Sequence, residues 1–149
     1  MAYQLSILIH GPGTVERAHW GFVIHQPPNI IGDLLHVLEI DQSTNWFEFE
    51  TRDAHDITSQ DAWGLAKIAN INRSQRSAVA AILENEAPPR SGTKRCQDCV
   101  VDALISLEVD ELGKGGTLQD WARRIGMATS EIKRQVGAGW TSLNGRLND

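Results

Sequence analysis

Lys94-Arg95-Cys96-Gln97-Asp98-Cys99-Val100-Val101-Asp102-Ala103-Leu104 marks the place where this chain changes its period. Before it stands a run of turn formers, Pro88-Pro89-Arg90-Ser91-Gly92-Thr93. After it Val100, Val101, Leu104, Ile105 and Leu107 recur at helical spacing, which puts Cys96 in the first turn of a helix. Unpaired N–H groups and the positive end of the helix dipole favour a thiolate at such a position, and Lys94 and Arg95 act in the same direction. A cysteine placed there becomes a nucleophile if a histidine can reach it.

Upstream of this stretch the pattern is that of strands. Tyr3 to His10 carries Leu5, Ile7 and Ile9 in alternation and closes on Gly11-Pro12-Gly13. Ala18 to His25 is a second strand, ended by Gln26-Pro27-Pro28-Asn29, and Asp33 to Ile40 is a third, followed by the turn formers Asp41 to Asn45. Trp46 to Glu50 alternates aromatic and acid, as a strand with one buried and one wet face does. A polar loop, Thr51 to Asp61, then leads to a short strand from Trp63 to Ala69.

Downstream the period is helical. Ser74 can cap a helix reaching about Glu86, and Pro88-Pro89 stops it. The Cys96 helix ends near Leu112. Thr117 can cap Leu118 to Ile125, and Thr129 or Ser130 a last helix through Val136, after which Gly137 and Gly139 release a polar tail. Strands followed by helices predict an α+β fold, an antiparallel sheet packed against helices. One domain is expected over 1–149, with the sheet in about 3–69, the helices in about 74–137 and the tail in 138–149.

Composition narrows the function. A chain of 149 residues can bury roughly 70% of its unfolded surface and needs no staples. The net charge of -5, with no basic run longer than Arg123-Arg124, argues against nucleic acid as a partner. Two cysteines three apart make no disulfide framework and suit a reducing, cytoplasmic setting. The N-terminus reads as a strand without a basic leader, and no apolar run approaches the roughly 20 residues of a membrane span.

Five histidines are present, His10, His19, His25, His36 and His55, and two of them, His19 and His36, lie within apolar strand patterns. His19 shares a strand face with Gly21 and Val23, and His36 shares one with Leu34 and Leu38. A lone strand histidine is commonly a packed or edge residue; two on neighbouring strands, in a sheet that also receives a cysteine at a helix start, weaken that explanation. Cys96-Gln97-Asp98-Cys99 is also a C-x-x-C, yet a thioredoxin-like site would follow an early strand of a βαβ unit. Zinc would need two further ligands that no second C-x-x-C or close His pair supplies, so neither metal nor cofactor is expected. Glu48 and Glu50, alternating with aromatics, are expected to face water.

His19-Trp20-Gly21-Phe22-Val23-Ile24, then Leu35-His36-Val37, then Arg95-Cys96-Gln97-Asp98-Cys99-Val100, in that order, resemble the circularly permuted NlpC/P60 proteins. The resemblance is to the branch with the lecithin:retinol acyltransferase-like enzymes, and it covers about residues 17–110. It implies a permuted papain-like fold and a cysteine-dependent hydrolase or acyltransferase. In it Cys96 is the nucleophile, His19 the general base and His36 the residue that orients His19. Trp20, Arg95, Gln97 and Asp98 become the residues expected at the substrate, although helix-start polarity explains Gln97 and Asp98 equally well. Arg95 stands where that branch often has Asn, and Gln97-Asp98-Cys99 replaces Glu-His-Phe. With no apolar C-terminal segment, a small soluble ester, amide or thioester is the expected acyl substrate, and homo-oligomerisation is left open. The alternative from another class is a non-catalytic binding or scaffold module that keeps the fold.

Overall fold

The computed structural model describes residues 2–41, 46–59, 61–85, 96–112 and 116–147. Five strands come first: β1 (Tyr3–His10), β2 (His19–His25), β3 (Ile31–Asp41), β4 (Trp46–Asp56) and β5 (Ala62–Ile71). Four helices follow, α1 (Arg73–Asn85), α2 (Cys96–Val109), α3 (Thr117–Arg124) and α4 (Thr129–Val136), and a final short strand, β6 (Trp140–Ser142). The strands form one sheet in the order β4-β3-β2-β1-β5-β6, with every neighbouring pair antiparallel. The class is α+β, an antiparallel sheet with helices packed on it.

Alternation decides which side chains the helices cover. Leu5, Ile7 and Ile9 of β1, Trp20, Phe22 and Ile24 of β2, and Leu35 of β3 form one core with Val79 and Leu83 of α1 and Val100, Val101, Leu104 and Leu107 of α2. Trp20 is fully buried and meets Trp121 of α3 edge to face, ring centroids 5.2 Å apart at 85°. Such a pair adds roughly 0.5–1.5 kcal/mol beyond its burial. The reverse face of the sheet carries a second core of Leu8, Val23, Leu34, Ile57, Ala62, Leu65 and Leu143. Both faces of the central strands are therefore dry, which is why Leu5 through Ile9 are all buried.

Four expectations change. The 51–61 region is no loop for most of its length, because β4 continues to Asp56. Its polar residues are tolerated on an edge strand, and Ala54, at φ 52, lies where the register shifts between Arg52 and His55. The 138–149 segment is not only a tail. Trp140–Ser142 adds to β5, with Gly64 opposite Ser142, and the indole of Trp140 occupies the space that a side chain at Gly64 would fill. Helix α1 is capped by Asn72 rather than Ser74: the Gln75 N–H donates to Asn72 Oδ1 at 2.9 Å, and the Asn72 N–H to Gln75 Oε1 at 2.9 Å. Thr117 is likewise inside α3, whose Leu118 N–H donates to Glu108 Oε1 of α2 at 2.8 Å. Arg95, Lys94, Pro88-Pro89 and the 42–45 turn lie outside the described residues.

Among the described residues no helix is long and apolar enough to cross a membrane.

Candidate active site at the start of helix α2

Cys96 is the first residue of α2, and the mouth of that helix is fastened to β2 by its neighbour. Gln97 is fully buried, donates from Nε2 to the Ala18 carbonyl at 2.9 Å and accepts at Oε1 from the Gly126 N–H at 2.8 Å. Both ends of the amide are thus used inside the protein. Gln97 positions the helix; it is not at the substrate position expected of it. The β2–β3 ladder runs from His25↔Gly32 to Phe22↔Leu35. Beyond that last pair the Trp20 N–H, with that of Gln97, is directed at the Cys96 sulfur. The sulfur therefore sits beside the residue that follows His19.

His19 opens β2, across the sheet from His10 of β1, and their rings stack with centroids 5.5 Å apart. On its other side His19 Nε2 lies 2.9 Å from His36 Nδ1 of β3. Gly21 makes this approach possible, since a Cβ there would fall 2.9 Å from the His36 Cβ. His36 is buried, and its Nε2 lies 2.8 Å from Glu50 Oε1 on β4, the same oxygen that accepts from Arg52 Nε at 2.6 Å. A continuous polar chain thus crosses three strands, His19–His36–Glu50–Arg52. Glu50, expected in water, is instead the cross-strand partner of His36.

Burial governs the charges. The His19 imidazole is held down at about 3, first by burial and then by the neighbouring His36 and His10. His10 is held at about 4, again mainly by burial. Both rings are neutral bases at physiological pH. The Cys96 thiol is pushed up by burial, with Asp98 adding to the effect, against the lowering influence of the Trp20 and Gln97 N–H groups. This reverses the expectation of a resting thiolate: desolvating a charge outweighs what a helix start supplies.

Two concavities border these residues. A cavity of about 20 Å³, room for one water, is lined by Cys96, His36, Trp20, Phe22, Phe49 and Cys99. Trp20 therefore both packs in the core and walls the space at the cysteine. An open cleft of about 610 Å³ lies along the loop between β1 and β2 and is bordered by His10, His19, Arg17, Asp61, Trp63 and Arg146. Asp98 pairs with Arg17 at 3.3 Å on the rim of this region, an exposed contact worth less than about 1 kcal/mol. Neither cysteine is in a disulfide; Cys99 is buried among mostly apolar side chains and Cys96 is half-buried. No group of three or more potential metal ligands occurs among the described residues.

His10 and Glu50 are the members of this constellation that sequence reasoning passed over. Hairpin arithmetic alone does not find Glu50: the pair Asp41↔Trp46 would set position 36 opposite position 51, and the register shift between Glu39 and Asp41 brings Glu50 there instead.

An antiparallel sheet backed by helices, with a cysteine at a helix mouth and a histidine chain across adjoining strands, defines the class of site. The sequence profile of a family of unknown function, DUF6540, matches residues 5–114, and the chain belongs to that family. The matched region runs from β1 past the end of α2 and so contains Cys96, His19, His36 and Glu50. No curated protein and no solved structure matches the chain.

Proposed function

We propose that this protein is a cysteine-dependent acyl-transfer enzyme, a hydrolase or acyltransferase, working with Cys96, His19 and His36 in a permuted papain-like NlpC/P60 arrangement. The observation that carries the reading is the 2.9 Å bond between His19 Nε2 and His36 Nδ1, made one residue from the N–H that is directed at the Cys96 sulfur. In papain-like logic one imidazole nitrogen faces a supporting group and the other takes the thiol proton. Here Nε2 is committed to His36, so under this reading Nδ1 is the nitrogen that must take the thiol proton.

With both partners uncharged at rest, proton transfer accompanies attack instead of preceding it. The thiol proton passes to His19 as sulfur bonds to the carbonyl carbon, and amides at the start of α2 stabilise the oxyanion. The His19 imidazolium then protonates the departing alcohol, amine or thiol, leaving an acyl-cysteine that water or a second nucleophile resolves. The substrate proposed is a small ester, amide or thioester entering by the 610 Å³ cleft. The setting proposed is cytoplasmic and reducing, where the thiol persists.

A second reading has its own support in the upward shift of the thiol: a sulfur held as a neutral, desolvated group suits a binding module that has no use for a thiolate. Alkylation separates the two. Iodoacetamide labelling of Cys96, followed by mass spectrometry from pH 6 to 10, is expected to slow about tenfold or more near neutrality in His19→Ala. An activated thioester should acylate Cys96 and leave Cys99 unmodified, and Cys96→Ala should abolish the acyl adduct. Equal labelling rates with and without the His19 ring would favour the binding module.

A further inference from the structure

We infer that Glu50 is a positioning residue that sets the tautomers of His36 and His19 in series, so that His19 presents an unprotonated Nδ1 to the nucleophile. The inference deepens the acyl-transfer reading and rests on it for its use, though not for its geometry.

A carboxylate accepts hydrogen bonds and cannot donate one. Glu50 Oε1 lies 2.8 Å from His36 Nε2, so that nitrogen carries the proton and donates. A neutral His36 then has its lone pair on Nδ1. This atom lies 2.9 Å from His19 Nε2, which must supply the hydrogen of that bond. The remaining nitrogen of His19, Nδ1, is left with a lone pair. Run in the opposite sense, the same three groups would put a proton on His19 Nδ1, and it could accept nothing from a thiol. One carboxylate, two residues removed from the base, thereby selects which nitrogen is basic.

The surroundings hold Glu50 to this task. Arg52 Nε donates to the same Oε1 at 2.6 Å, and the bond from His36 is the foremost cause that keeps the Glu50 carboxyl below its ordinary range. Glu50 stays an ionised acceptor even though its side chain is 32% exposed. Arg52 is more exposed, and its bond fixes the direction of the carboxylate rather than adding much stability. His10 stacks on the far side of the His19 ring and limits its rotation away from His36.

Nitrogen NMR of histidine-labelled protein at pH 8, above the ordinary histidine range, reads the tautomers directly. The wild type should show Nε2-protonated rings at positions 19 and 36 and a coupling through the Nε2–H···Nδ1 bond. Glu50→Leu, on an edge strand, should lose that coupling and shift His36 to a mixture of tautomers, with Cys96 alkylation slowed about tenfold. Glu50→Gln keeps an acceptor oxygen; it should retain the coupling and slow alkylation by about threefold at most. A backbone amide spectrum checks that each variant is folded. The inference is overturned if wild-type His19 carries its proton on Nδ1, or if folded Glu50→Leu keeps both tautomers and the coupling. Tautomers that respond to Glu50 while alkylation ignores both Glu50 and His19 would uphold the role of Glu50 and remove the acyl-transfer reading alone.

Discussion

Gln97 adjoins the candidate nucleophile in sequence, yet its side chain is turned into the protein, where it joins α2 to β2 and to the turn after α3. Replacing it with leucine would leave the Ala18 carbonyl and the Gly126 N–H without their partner in a dry interior. The expected cost is about 2–4 kcal/mol, read as a lowered urea midpoint. A loss below about 0.5 kcal/mol would mean that water takes over both bonds. At this scale residue types were legible and orientations were not. A buried glutamine and a substrate-facing one look alike in a sequence, because what distinguishes them is the carbonyl of a residue 79 positions away. Glu50 misled for the same reason: alternation put Phe49 in the core, but the opposite face at that end of the sheet holds His36 and not water alone.

Elements were more readable. The strand-to-helix change of period, the five strands and four helices, and their order all follow from local patterning, and β1 runs over the residues that alternation marks. Ends were less so. Ser74 carries the right side chain for a cap, but Asn72 stands two residues earlier and pairs reciprocally with Gln75, while the Ser74 hydroxyl merely donates to Asn72 Oδ1. Thermal melts should therefore place Asn72→Ala about 1 kcal/mol below the wild type and Ser74→Ala within about 0.5 kcal/mol of it. Equal losses at the two positions would return the cap to Ser74. The extension of β4 and the addition of β6 share one cause. Edge strands can be polar or short and still form, since a neighbour supplies their hydrogen bonds: β3, just before it, for β4, and the distant β5 for β6.

At the level of the whole molecule, buried neutral histidines make stability depend on pH. His10 and His19 are held at about 4 and about 3 in the folded protein against 6.5 when unfolded, and burial lowers His25 and His55 as well. A lowered folded value means that the unfolded chain binds more protons between the two limits. Stability is then complete above about pH 6.5 and falls progressively as the pH drops toward 3. Each fully shifted ring contributes about 1.4 kcal/mol per pH unit, so His10 and His19 together should remove on the order of 2 kcal/mol between pH 6 and 5. Urea midpoints across pH 7.5 to 5 measure this, and a flat profile would mean that the rings are solvated. His10→Gln should make the decline shallower.

What the sequence determined by itself is what short range controls: strands then helices, a cysteine in the first turn of a helix, histidines on strands, and no long apolar segment. Periodicity and capping act over a few residues and are written in the chain. The tertiary structure alone decided which groups touch and what charge they bear. His36 meets Glu50 through β-sheet register, His10 meets His19 through the pairing of β1 with β2, and the Cys96 thiol is raised because the packed interior removes its water. Register and burial are properties of the assembled sheet and helices, where residues far apart in sequence exclude solvent together.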